Sequence, residues 1–341
     1  MNAARWWQAD AHQDRRPFLV RRGKVRRALQ AWFDAQDFLE VECASLQVSP
    51  GNETHLHAFA TEFVTEGEEK KPLYLHTSPE FSCKKLLAAG EERIVDFARV
   101  YRNREAGPLH SPEFTMIEWY RTSASLKDVM EDTVSLCRSA LQATGEQKLR
   151  RKGRVCDPDR PPEYLTLHDA FARYAEIDLT GLLDDTEGFR LAANARGVGV
   201  PDTASWSDIF SAVLVTRIEP NLGDDQITLL YRYPVCEAAL ARACDDDPRF
   251  ADRFEAYACG VELANGFCEL TDPVEQRARF EADMALKQEI YGETYPIDED
   301  FLAALEHMPD ASGVALGFDR LVMLASGARS VSDVIWTPVD V

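Results

Sequence analysis

Arg102 is the first side chain placed for chemistry. The stretch Tyr101-Arg102-Asn103-Arg104-Glu105-Ala106-Gly107-Pro108-Leu109-His110-Ser111-Pro112-Glu113-Phe114 reads as a strand that delivers Arg102 into a polar loop, with a second strand returning. A guanidinium is planar and always charged, so it can grip a phosphate through two parallel hydrogen bonds. Taken alone, the stretch also reads as a surface hairpin with incidental charges. The return strand, Phe114-Thr115-Met116-Ile117-Glu118-Trp119-Tyr120, alternates its side chains, so Glu118 and Tyr120 share a face with Met116 and Phe114. A carboxylate among aromatics is costly to bury without a cation. An internal arginine is one source of that cation, and the ammonium of a ligand is another.

Residues 254–270 carry further acids. Cys259-Gly260 can close a two-residue hairpin, which sets Ala258 opposite Val261 and Tyr257 opposite Glu262. Glu255 lies two residues before Tyr257, so it shares a face with Glu262 as a diagonal neighbour. Two carboxylates so close repel, and a hard cation such as Mg²⁺ relieves them. A solvated acidic face is the plain alternative, disfavoured by the apolar flanks. Glu269 follows Asn265-Gly266, where a bulge or turn can re-aim it. In the stretch 312–324, Gly313 and Gly317 allow close backbone approach to a ligand. Arg320 sits in the first turn of a helix, where the dipole opposes a cation. The position makes sense if Arg320 meets a phosphate or carboxylate, a salt bridge to Asp319 or another acid being the common alternative.

These groups need a frame. Residues 22–38 place Val25, Leu29, Trp32 and Phe33 on one side and predict an amphipathic helix. Residues 38–42 predict a strand that leads to a turn at Ser49-Pro50-Gly51. Residues 73–76, 94–101 and 114–120 predict further strands, and Ser78-Pro79-Glu80 starts a helix after the first of them. The region of about 145–230 is less regular, with connections at Arg160-Pro161-Pro162 and Gly181-Leu182-Leu183, and predicts an inserted helical layer. Strands resume at Phe254 and end at 311–316, before an apolar helix over 318–325. Hairpin-joined strands with helices kept apart predict an α+β fold, an antiparallel sheet flanked by helices, and the length allows one large domain over 1–341 or two modest ones.

Composition narrows the function classes. The 341 residues include 38 basic and 58 acidic side chains, a net charge of −20, which disfavours broad binding to nucleic acid or to an anionic membrane. Hydrophobic residues at 45% and charged residues at 28% exclude a wholly disordered chain. No apolar run reaches the length of a membrane span. The start, Met1 to Trp7, lacks an apolar signal core, and Arg15-Arg16 is followed by Pro17 rather than an export signal. Eight scattered cysteines with no Cys-x-x-Cys pair read as reduced thiols of a cytoplasmic protein, not as a disulfide frame or a zinc site.

In this order and combination the three stretches resemble the motifs of class II aminoacyl-tRNA synthetases. Residues 38–50 look like motif 1, 101–120 like motif 2 and 313–320 like motif 3. Thr77-Ser78-Pro79-Glu80, Pro112 through Tyr120, and Ala264-Asn265-Gly266-Phe267-Cys268-Glu269-Leu270 resemble the lysine-site signatures of lysyl-tRNA synthetases. The match runs over nearly the whole chain from about Arg22 onward. Only about twenty residues precede the part of the chain that matches, too few for the five-stranded anticodon-binding barrel of a synthetase. The chain is therefore similar to the truncated paralogues that activate lysine, preferring (R)-β-lysine, and attach it to a lysine of elongation factor P.

That resemblance implies ATP and Mg²⁺, a homodimer built through motif 1, and no tRNA. It implies that Arg102 holds the α-phosphate and Arg320 the γ-phosphate. Asn103, Arg104, Glu105, His110, Ser111, Glu262, Leu263 and Gly317 join them around ATP, and Glu255 and Glu262 hold the metal. Glu118, Tyr120 and Glu269 would hold the lysine side-chain ammonium, and Glu80, with Ser78 and Pro79, the other amine. Three departures stand out. Arg104 occupies the place of a motif 2 glutamate, so either Glu105 substitutes or adenine is held by stacking. Ser111 stands where asparagine is frequent, and Ala315 where synthetases have glycine, which implies a reshaped amino-acid pocket. Two other readings remain: an enzyme charging tRNA or a small acceptor, and a lysine-binding paralogue weakened by Arg104.

Overall fold

The computed structural model describes residues 5–339, so residues 1–4 of the start read above lie outside the described part. Helix α1 (Ala9–Ala35) begins well before the predicted residue 22 and stops just before Asp37, whose φ is 59°. The apolar stripe of its second half is what the sequence revealed. Its first half is held instead by arginines on distant carbonyls: Arg15 donates to Ser332 O at 2.9 Å and Arg21 to Ser326 O at 2.9 Å. Strands β1 (Leu39–Val41) and β2 (Leu46–Gln47) follow. Strands β3 (Phe59–Val64) and β4 (Lys70–Leu75) form a hairpin, of which only the end of β4 was legible among its lysines and acids. Helix α2 (Glu80–Ala88) starts at the Ser-Pro-Glu turn.

Strands β5 (Arg93–Tyr101) and β6 (Glu113–Thr122) pair antiparallel, as the resemblance to motif 2 leads one to expect. Helix α3 (Leu126–Thr144) has a capping box between Ser125 and Asp128 and ends at left-handed Gly145. The stretch expected to be a helical layer opens with a hairpin, β7 (Leu149–Arg151) and β8 (Arg154–Cys156), and an edge strand, β9 (Glu163–Thr166). The hairpin forms because Lys152 and Gly153 both take positive φ, 46° and 83°, as a tight two-residue turn requires. Helices α4 (Leu167–Ala170), α5 (Thr186–Ala195) and α6 (Trp206–Val213) complete that stretch. Then come β10 (Thr228–Pro234), β11 (Phe250–Ala258), β12 (Val261–Cys268), α7 (Pro273–Tyr291), α8 (Glu299–Leu305), β13 (Ala311–Gly317) and α9 (Phe318–Ser326).

One eight-stranded sheet, ordered β1-β5-β6-β13-β12-β11-β10-β9, spans the fold. Its pairs are antiparallel except β1 with β5 and β9 with β10, at the two edges. One face packs against α1, α3 and α9 in a large apolar core that takes Ile117, Trp119, Val314 and Leu316. Alternation along the strands sends Met116, Glu118, Tyr120 and Ala315 to the opposite face, beneath α2 and the loops. A separate apolar cluster under α4, α5 and α6 backs β10, and a third joins α2, α7 and α8.

Candidate active site

The open face of the sheet floors a cavity of about 520 Å³, lined by Ser78, Glu80, Arg102, Glu105, His110, Ser111, Glu262, Leu263, Ala315, Gly317 and Arg320 among others. These come from the α2 turn, the β5–β6 loop, the β11–β12 hairpin and the β13–α9 junction. Residues separated by more than two hundred positions thus meet because the central strands are neighbours.

At one end lies a nest of buried acids. Glu118 is 2% exposed and accepts from Ser78 Oγ at 2.7 Å and from the Tyr120 hydroxyl. Burial, and then the nearby Glu80, push its carboxyl up to about 8, although both hydroxyl donors pull it down. Neither the internal arginine nor any other cation is paired with Glu118 among the described residues. The internal cation is Lys84, which the sequence reading missed. Its Nζ lies 2.6 Å from Glu80 Oε1 and 2.6 Å from Glu269 Oε2, with both Lys84 and Glu269 fully buried. Those two carboxylates keep Lys84 charged against burial, and burial raises Glu269 against the pull of Lys84. The spacing Glu80–Lys84, one helical turn, was the available signal. Gly313 makes room here, since a Cβ on it would lie 2.5 Å from Glu269 Oε1. Ala315 sits between Glu118 on β6 and Asn265 on β12. Pro79 caps the first turn of α2 behind Glu80.

At the other end are the guanidiniums. Arg102 donates to Thr77 O at 3.2 Å, and its Cζ stands 5.4 Å from the Phe114 ring centroid, with Glu105 3.9 Å away. Arg320 donates to Leu109 O at 3.2 Å, to Glu262 O at 3.0 Å and to His110 Nε2 at 2.8 Å. Burial and Arg320 lower the His110 pKa, so its ring nitrogen is free to accept. The acid partner of Arg320 is Glu262, at 3.2 Å, rather than Asp319. Asp319 instead pairs with buried Arg22 of α1 and accepts from Thr115 N at 2.7 Å, pinning α9 to the sheet.

Two motif 2 residues turn away from the cavity. Arg104 has a φ of 65°, pairs with Glu293, lies 3.4 Å from His57 Nε2 and sits 5.6 Å from the Tyr291 ring centroid. Asn103 donates its N–H to His57 O at 2.7 Å and spends its side-chain oxygen on Arg104 N. Glu105 is the acid of this loop that lines the cavity.

The β11–β12 register sets Tyr257 opposite Glu262 and Ala258 opposite Val261, with a bulge at Leu263. Glu255 lies 2.7 Å from Arg253 Nη2 and accepts from the Tyr257 hydroxyl at 2.6 Å, while Glu262 faces the cavity. A third acid, Glu219, joins them from the region before β10, where no local pattern marked it. Burial and the charges of Glu255 and Glu262 push it up to about 7. Glu255 is held by Arg253 and Glu262 by Arg320, and a hard divalent cation would relieve the like charge that remains. Elsewhere, Cys43, Cys83 and Asp96 bring ligand atoms within 4.8 Å of one another, the two Sγ atoms 3.6 Å apart, and the cysteines are free thiols.

Comparison with known proteins matches residues 2–341 to the model of tRNA synthetases class II (D, K and N). The chain is 40% identical over 325 residues to the elongation factor P–(R)-β-lysine ligase of Proteus mirabilis, covering 94% of each chain. It is 38% identical over 343 residues to that of Klebsiella pneumoniae (strain 342), covering 100% of this chain and 99% of the relative. It is 37% identical over 342 residues to that of Haemophilus influenzae (strain PittGG), with the same coverage. An antiparallel sheet with arginines of motifs 2 and 3 over one cavity, and this match over nearly every residue, place the chain in the class II tRNA synthetase (D, K and N) family.

Proposed function

We propose that this chain activates (R)-β-lysine, or lysine, with ATP and ligates it to a lysine side chain of elongation factor P. The observation that carries the reading is the buried acid nest. Glu80 and Glu269 share the single internal ammonium of Lys84 while Glu118 has only hydroxyl donors, so a diamine would bring the missing positive charge. A neutral amino acid would leave the acids unpaired, which gives strong rejection. From that nest the ligand's carboxylate reaches toward Arg102 and Arg320, which neutralise and align the phosphates. The carboxylate oxygen attacks the α-phosphorus and pyrophosphate leaves. In the second step the acceptor's neutral amine attacks the carbonyl carbon of the adenylate, an amide forms and AMP departs. Mg²⁺ held by Glu255 and Glu262, with Glu219 beside them, would screen phosphate charge.

Exposed apolar side chains at the motif 1 edge, Leu39, Leu46 and Val48, support a two-fold dimer there. Among the described residues no helix is long and apolar enough to cross a membrane. The eight free thiols support a cytoplasmic enzyme. Nucleotide contacts are assigned to Arg102, Glu105, His110, Ser111, Glu262, Leu263, Gly317 and Arg320.

The test has two stages. Pyrophosphate exchange should depend on (R)-β-lysine or lysine, and the label should pass to elongation factor P and not to bulk tRNA. Exchange without either amino acid, or labelling of tRNA alone, counts against the reading.

A further inference from the structure

Although the chain carries a net charge of −20, one face gathers cations. The β7–β8 hairpin and the end of α9 line a cavity of about 790 Å³ whose walls carry Lys148, Arg150, Arg151, Lys152, Arg154 and Arg329. The acid on this wall, Glu146, is taken by Arg21 at 2.8 Å. Arg154 is committed to the fold, 3.1 Å from Asp224 and bound to the carbonyl of Pro220. The other five cations make no ion pair among the described residues, and the buried Nε of Arg151 has no hydrogen-bond partner. Elsewhere on this acidic surface exposed arginines do find acids, as Arg173 with Glu163 and Arg249 with Asp247. Five neighbouring cations repel one another and are relieved by an arriving anion. The hairpin also abuts the catalytic layer, because Cys259 Sγ, at the tip of the β11–β12 hairpin that carries Glu262, lies 3.5 Å from Leu149 O.

We propose that this basic face docks an acidic surface of the acceptor protein while the acceptor's lysine enters the adenylate site. The proposal rests on the acceptor reading given above. A compact acidic protein face suits a patch one hairpin wide. A long polyanion would extend past the patch over a chain whose net charge is −20.

The test compares the unaltered chain with the combined variant Lys148→Glu, Arg150→Glu, Lys152→Asn, Arg329→Glu, and with Arg329→Glu alone. Asparagine is chosen at 152 because it tolerates the left-handed turn. The KM for elongation factor P should rise about tenfold or more in the combined variant and less in the single one. Lysine-dependent pyrophosphate exchange, which needs no acceptor, should be unchanged. The unaltered chain's KM should also climb more steeply with salt than the variant's. An unchanged acceptor KM with intact exchange overturns the docking face alone. So does loss of binding to a short single-stranded RNA while the acceptor KM stays put, which would assign the face to nucleic acid. If the unaltered chain forms adenylate but never labels elongation factor P, the acceptor reading fails and takes this proposal with it.

Discussion

Glu118 gives the proposed amino-acid site a proton balance that can be counted. Its carboxyl is held at about 8, chiefly by burial and then by Glu80. A group with that value is about 1% ionised at pH 6 and half ionised at pH 8. An arriving ammonium needs the carboxylate, so binding below pH 8 expels one proton. The amines of lysine stay charged through this range, so the site sets the slope. Apparent affinity should therefore rise by about tenfold per pH unit, or roughly fifty-fold between pH 6 and 8. Titration calorimetry in two buffers of different ionisation enthalpy measures the proton release directly. Glu118→Gln should bind weakly and flatten the slope. An affinity that stays level from pH 6 to 8, with no proton released, would refute the reasoning. The same group bears on folding with the opposite sense. The folded protein holds the Glu118 proton more tightly than the unfolded chain, whose value is 4.5. Its contribution to stability is complete below about 4.5 and is lost as pH rises through about 8.

Other outcomes follow from the same contacts. Lys84→Met strands two buried carboxylates and should cost about 3–5 kcal/mol in urea denaturation, partly recovered by added lysine; a loss under about 1 kcal/mol contradicts the ion-triad account. Arg22→Met leaves Asp319 uncompensated in the core and should destabilise by a similar about 3–5 kcal/mol, read by the same denaturation. Arg104→Ala should leave the KM for ATP within about threefold and stability within about 1 kcal/mol, since its pair with Glu293 is half exposed and faces away from the cavity. A large rise in that KM would return Arg104 to the nucleotide site. Ala315→Gly should shift preference from (R)-β-lysine toward α-lysine in pyrophosphate exchange, and an unchanged ratio would reject the reshaped-pocket idea.

Local patterns were legible where chemistry and structure share a short range. Period-two alternation on β6 put Glu118 and Tyr120 on one face, opposite Ile117 and Trp119, because a strand has no other way to place them. The Cys259-Gly260 turn brought Tyr257 opposite Glu262, because a two-residue hairpin admits one register. The α+β class followed from the same spacing. Less was legible where the partner of a strand or helix lies far away. The β7–β8 hairpin was hidden by its charges, and the first half of α1 by the lack of an apolar stripe.

Residue types and short spacings thus determined which arginines and acids this protein offers as candidates for a site. Tertiary structure decided how each charge is balanced. Asp319 finds Arg22 across 297 positions, Arg104 finds Glu293 across 189, and Lys84 reaches Glu269 from another element. Such choices depend on which surfaces pack together, and the strength of a charge pair depends on the water that packing removes. Neither quantity exists until the sheet has formed.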